Sequence, residues 1–187
     1  LVALTLTEDD CKAIERPLLL QLLRSLGISQ SFPRVVINGP LDFQGLGRKS
    51  IYYVLGEIHI EALLRNYAEA SITGSMMQAS LQRHNLELGT GTSLFQTSFA
   101  TYSDIATASW MKHTWQFLQK NNIKIDIAAP CPKLRRQLDR FLMPLFSEMG
   151  FRKGQLKALN RCRLFLQVSS LSDITSGDGA SILEGIW

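Results

Sequence analysis

The stretch KLRRQLDRFLMPLFSEMGFRKGQLKALNRCRLFLQV, residues 133–168, decides the fold class. Leu134, Leu138, Phe141, Leu142, Leu145 and Phe146 recur at helical spacing, and Leu156, Leu159, Leu164 and Phe165 follow after Gly150. The spacing predicts two helices, Lys133 to Met149 and 153 to 168, with Gly150 as the stop between them. Pro144 predicts a kink near Phe141, because a proline ring collides with the carbonyl four residues back. Leu156, Leu159, Leu164 and Phe165 are expected inward, with Lys157, Arg161 and Arg163 mostly outward. Arg135, Arg136 and Arg140 are expected to share a helical face. Nine basic residues between Lys133 and Arg163 stand against only Asp139 and Glu148. That segment is +7, and since the whole chain is +4 the remainder is −3. A basic patch on a mildly acidic body points to a polyanion, of which nucleic acid is the usual one.

The same helical reading extends upstream. Thr7 followed by Asp10 forms a capping box, and Pro17 is expected to break or restart the helix. Leucines at 18, 19, 20, 22, 23 and 26 are too many for one stripe, which predicts a helix buried on most of its circumference, stopped by Gly27. Residues 28 to 50 read as a long connection. In it Arg34-Val35-Val36-Ile37 is β-prone, Asn38-Gly39-Pro40 turns the chain, and Gly45-Leu46-Gly47 calls for close backbone packing or positive φ, with Leu46 buried. Helices are expected from 50 to 70, from a Thr73 cap to Leu88, and from Thr107 or Ser109 to Asn121, the last holding Trp110, Met111 and Trp115. Ile123 to Ala128 alternates and is the best strand candidate. The fold class is therefore mostly α: a helical bundle-like region with one or two short strands and a long glycine-containing loop. Residues 1–50 and 51–187 are expected to form two parts, with one continuous domain as the alternative.

With 187 residues, 45% hydrophobic and 19% charged, the composition is globular rather than disordered. No run of about 18 apolar residues exists, which excludes a membrane-spanning helix. Glu8, Asp9 and Asp10 stand where a secretory signal would be basic and then apolar. Three scattered cysteines, Cys11, Cys131 and Cys162, fit a reducing compartment. The expected location is intracellular, nucleus or cytoplasm, and not secreted. The chain starts without Met and reads as an excerpt of a longer protein. There is no G-x-x-x-x-G-K-[ST], no H-E-x-x-H and no paired C-x-x-C. His59, His84 and His113 are too scattered to mark a metal site. Asp173 to Glu184 has acids at both ends of a calcium-loop spacing, but Asp178 occupies the position that needs glycine. Asp9-Asp10 suits a helix N-terminus better than a metal pair. No catalytic residue and no metal ligand is expected.

Two motifs carry a resemblance. Residues 16–47 run from Arg16-Pro17-Leu18-Leu19-Leu20 through Leu26-Gly27-Ile28-Ser29 and Pro33-Arg34-Val35-Val36-Ile37 to Gln44-Gly45-Leu46-Gly47. The second motif is Leu159-Asn160-Arg161-Cys162-Arg163-Leu164-Phe165-Leu166-Gln167-Val168-Ser169-Ser170-Leu171-Ser172-Asp173-Ile174-Thr175. Both resemble the region downstream of the reverse transcriptase domain, thumb and post-thumb, in LINE-like (non-LTR) retroelement proteins of diatoms and related algae. The first glycine of the resembled loop is replaced here by Gln44.

The resemblance implies a thumb-like first part and a helical post-thumb second part. The implied role is that of a non-catalytic fragment of an RNA-directed DNA polymerase, binding and positioning the RNA–DNA template–primer duplex. An upstream palm domain of the same polypeptide would hold the divalent metals, leaving this fragment without a cofactor. Arg34, Arg48, Lys49, Arg135, Arg136, Arg140, Arg152 and Lys153 are the expected nucleic-acid contacts. Gly39, Gly45, Leu46 and Gly47 form the expected structural loop. A helical protein–protein interaction module from a decayed or domesticated element is the alternative. An independent enzyme built from scattered Asp, His and Ser residues is a further rival.

Overall fold

The computed structural model describes residues 4–183, so Glu184, the far end of the calcium-like spacing, lies outside the described residues. These residues form eight α-helices and no strand. The helices are α1 (Glu8–Ser25), α2 (Arg34–Asn38), α3 (Ile51–Asn66), α4 (Ile72–Leu88), α5 (Phe99–Tyr102), α6 (Trp110–Lys120), α7 (Leu142–Glu148) and α8 (Lys153–Phe165). The chain divides into two compact units at Arg65–Asn66, so α3 groups with the segment before it.

In the first unit α1 starts on the expected capping box, with the Asp10 amide donating to Thr7 Oγ1 at 3.2 Å and the Thr7 amide to Asp10 Oδ2 at 2.9 Å. Pro17 does not break α1. It sits on the exposed side, while Cys11, Glu15, Leu19 and Leu23 bury a continuous stripe on the other side. The leucine-rich half is not buried all round: Leu18 is 58% and Leu26 57% exposed. Only Leu19 and Leu23 enter the core, against Ile37, with Ile28 and Phe32 beside them.

The β-prone run Arg34–Ile37 is helix α2. A strand needs a partner ladder, and none is present among the described residues. Instead the Val36 and Ile37 amides donate to the Pro33 carbonyl at 3.1 and 3.3 Å, and Ile37 alone is buried. The connection from 28 to 50 is accordingly not one long loop: α2 and a 3-10 turn, Leu41–Phe43, interrupt it. Its return is held by Leu46 N–H on the Val36 carbonyl (2.9 Å) and Gly47 N–H on the Gly39 carbonyl (2.8 Å). Gly45 is required here, since a Cβ on it would lie 2.1 Å from the Gly39 oxygen. Leu46 itself is 43% exposed, against the expectation of burial.

In the second unit α4 is capped by Ser71, not Thr73, through Ser71 Oγ and the Gly74 amide at 3.1 Å. Amphipathic α6 starts at the Ser109 cap and buries Met111, Trp115 and Leu118. Trp115 donates to the Thr97 carbonyl at 2.9 Å and meets Phe99 edge-on at 4.8 Å. Ile123 to Ala128 makes no strand. No neighbouring strand is present among the described residues, and the segment is held instead by the Ile123 amide on the Leu118 carbonyl at 2.9 Å and by Tyr67 Oη donating to the Ala128 carbonyl at 3.2 Å.

The helix expected over 133–149 begins only at Leu142. Pro144 is its third residue, where a missing N–H costs nothing. The same ring forbids a helical Arg140 carbonyl four residues back, and that carbonyl instead accepts from Leu171 N–H at 3.0 Å. Proline thus starts the helix rather than kinking it, and residues 133–140 are irregular. In α8 the register is turned from expectation: Leu156, Asn160 and Arg163 are buried, while Leu164 is 44% and Phe165 86% exposed.

Candidate functional site

The basic residues divide by what holds them. In the first unit Arg48 is committed to Glu15 (Nη2–Oε2 3.1 Å) and approaches Asn38 Oδ1 at 3.4 Å. Glu15 also accepts from Ser50 Oγ at 2.8 Å and from the Ile51 amide, so it caps α3 from α1. Burial opposes ionisation of this carboxyl, but the Ile51 amide, Ser50 and Arg48 outweigh it and hold its pKa below the usual value. Lys49 pairs with Glu57 at 3.1 Å, and Arg34 stands exposed at the start of α2.

In the second unit Arg135, Arg136 and Arg140 do not share a helical face, because their segment is not helical. Arg136 donates to the carbonyls of Ser176 (2.6 Å), Thr175 (3.3 Å) and Ser172 (3.4 Å), and so clamps the 172–176 turn. Arg140 pairs with Glu148, and Arg135 lies 3.7 Å from Asp173. Arg163, counted from sequence as outward, is 4% exposed. Its guanidinium donates to the Leu86 and Glu87 carbonyls at 2.7 and 2.9 Å and to Asn160 Oδ1 at 2.9 Å. It therefore closes the C-terminus of α4, where a cation suits the helix dipole. Burial lowers its pKa. Gly89, at φ +60, leaves room for it: a Cβ there would lie 2.4 Å from Arg163 Cζ.

Among the exposed cations without an ion pair is a stripe on α8. Lys153, Lys157 and Arg161 recur every fourth residue and are exposed, with Arg152 beside them at the helix start. Among the described residues none of the four makes an ion pair. From Lys153 to Arg161 the stripe runs about 12 Å at the rise of an α-helix, within about 80° of its circumference. Exposed Leu164 and Phe165 continue the same side. The sequence carried a signal for Lys157 and Arg161 in their four-residue spacing from Lys153.

A second constellation was not expected. His84 and Glu87, one turn apart on α4, meet the 107–109 turn. His84 Nδ1 lies 3.1 Å from Glu87 Oε2, and His84 Nε2 lies 2.8 Å from Ser109 Oγ. The Thr107 amide donates to Glu87 Oε2 at 3.1 Å, and its hydroxyl to the other oxygen. Burial would raise the Glu87 pKa, but His84 and Thr107 outweigh it and hold it down to about 2. The only trace of this network in sequence is the i, i+3 pair of His84 and Glu87, since Ser109 and Thr107 signal only a helix start.

Among the described residues there is no group of three or more His, Cys, Asp or Glu placed to hold a metal ion, and no helix long and apolar enough to cross a membrane. Cys11 is buried, Cys131 half-buried and Cys162 exposed, all as free thiols. No family model matches the chain, and no curated protein or solved structure is significantly similar to it.

Proposed function

We propose that this chain is the thumb and post-thumb portion of a LINE-like reverse transcriptase and that it grips the RNA–DNA template–primer duplex through phosphates. The reading rests on the resemblance of residues 16–47 and 159–175, and the observation that carries it is the ion-pair-free stripe of Lys153, Lys157 and Arg161 on α8. Each strand of a duplex presents a phosphate about every 3.4 Å of helix axis, so a 12 Å row of cations spans about three to four of them. Such contacts position a duplex without reading its sequence. A second support comes from the loop. Gln44, standing where the resembled loop has glycine, takes φ 60, a conformation that favours glycine.

The interface is thus centred on Arg152, Lys153, Lys157 and Arg161. Arg135 and Arg140 flank it as paired cations, and Arg136 serves the fold. Arg34, Arg48 and Lys49 belong to the first unit and make a separate contribution there. The polymerase palm with its metals and the nuclear or cytoplasmic location belong to the same proposal. The chain alone extends no primer. Fluorescence anisotropy with a labelled RNA–DNA hybrid tests the reading: binding that weakens steeply with salt is expected, and no binding at low salt overturns it.

One observation favours docking of a protein partner as a second role. Ile14, Leu18 and Leu22 line one side of α1 at 43%, 58% and 45% exposure, and Val35, Leu41 and Phe43 are 84%, 74% and 83% exposed.

A further inference from the structure

We propose that Ser109 is an activated nucleophile, with His84 as its general base and Glu87 positioning that histidine, able to take the acyl group of small activated esters. The inference is independent of duplex binding. Its basis is a continuous chain of three side chains, Ser109 Oγ to His84 Nε2 at 2.8 Å and His84 Nδ1 to Glu87 Oε2 at 3.1 Å. A nucleophile in reach of a base that is itself oriented by a third group is the arrangement hydroxyl activation needs. The Glu87 carboxylate accepts Nδ1–H, which leaves the Nε2 lone pair facing the serine hydroxyl. Thr107 fixes Glu87 with its amide at 3.1 Å and with its hydroxyl, so the acid arm is doubly held.

Access and charge also suit the reaction. His84 is 3% exposed, so the base is shielded from bulk water. Ser109 is half-buried beside exposed Thr107 and Ala108, so the surface side of the turn is the route a small ester would take to Oγ. Ser109 stands at the N-terminus of α6, whose dipole favours developing negative charge. Its Oγ already accepts from the Lys112 amide at 3.1 Å, a bond that strengthens on an alkoxide. The nearby cations are spent: Lys112 Nζ donates to the Ala106 carbonyl at 2.9 Å, and Arg163 to the carbonyls of Leu86 and Glu87.

In the reaction Oγ bonds to the acyl carbon as its proton passes to Nε2. The tetrahedral adduct collapses, breaking the carbon–oxygen bond to the leaving group, which takes the proton from His84. Water then attacks the acyl-serine. Its proton passes through His84 to Ser109 Oγ, and the acid departs.

The test treats the full chain with a fluorophosphonate and locates the adduct by peptide mass spectrometry, with p-nitrophenyl acetate as the ester. The proposal expects one adduct, on Ser109, absent in Ser109→Ala. Its rate should rise with pH, as general-base catalysis requires, and fall at least about tenfold in His84→Gln. Labelling that is absent, falls on other serines, or is unchanged in a folded His84→Gln protein overturns it, because a merely structural staple predicts those results. Where His84→Gln does not fold, the pH profile of the unaltered chain decides, and a flat profile overturns the proposal.

Discussion

Gln44 and Leu138 hold φ at 60 and 62, a region costly for residues with a Cβ. Leu138 is also 100% exposed, so nothing in its packing is lost on truncation. Leu138→Gly and Gln44→Gly should each raise stability by about 0.5–1 kcal/mol, the relieved strain exceeding the added chain entropy. Urea denaturation checks this, with Leu138→Ala as the control that should not stabilise. Arg163 makes the opposite case. Arg163→Met strands the Leu86 and Glu87 carbonyls and should cost about 3 kcal/mol in the same assay. None of the three conformations was legible from spacing. The apolar period of α8 admits two registers. Sequence favours the one that buries Leu164 and Phe165, and what decides otherwise is the demand of the end of α4 for a donor, which only the tertiary fold reveals.

At the scale of elements, the His84–Glu87–Thr107 network ties α4 to the turn before α6 through an ionised carboxylate. The Glu87 pKa, about 2 when folded, lies below its ordinary 4.5. A depressed carboxyl stabilises fully above the ordinary value and loses that stabilisation as pH falls toward the folded one. Folding stability should therefore drop between about pH 5 and pH 2, by up to an order of 3 kcal/mol from this group. Glu87→Gln should flatten that part of the pH–stability curve while lowering stability at pH 7. An unflattened curve would show that other carboxyls carry the acid sensitivity. Element type was largely readable here: α1, α4 and α6 appear close to where periodicity and caps place them. Pro144 was seen as disruptive, but whether a proline kinks or starts a helix depends on what its displaced carbonyl finds. The two strand candidates failed for one reason, since β-propensity is expressed only against a partner.

For the whole molecule, net charge was readable and its use was not. The basic segment from Lys133 to Arg163 is a real excess, yet Arg163 goes to the core, Arg136 to a turn and Arg140 to Glu148. Among the cations left over, Lys153, Lys157 and Arg161 form a row on α8, with Arg152 at its start, while Lys133 and Arg135 lie outside it. The deciding measurement is the salt dependence of RNA–DNA hybrid binding for the unaltered chain and for Lys153→Ala/Lys157→Ala/Arg161→Ala, both shown folded by circular dichroism. The account predicts that the slope of log K against log salt becomes shallower by about 2–3 in the triple variant, to the same extent for hybrids of any sequence. Identical slopes for the two proteins would contradict it.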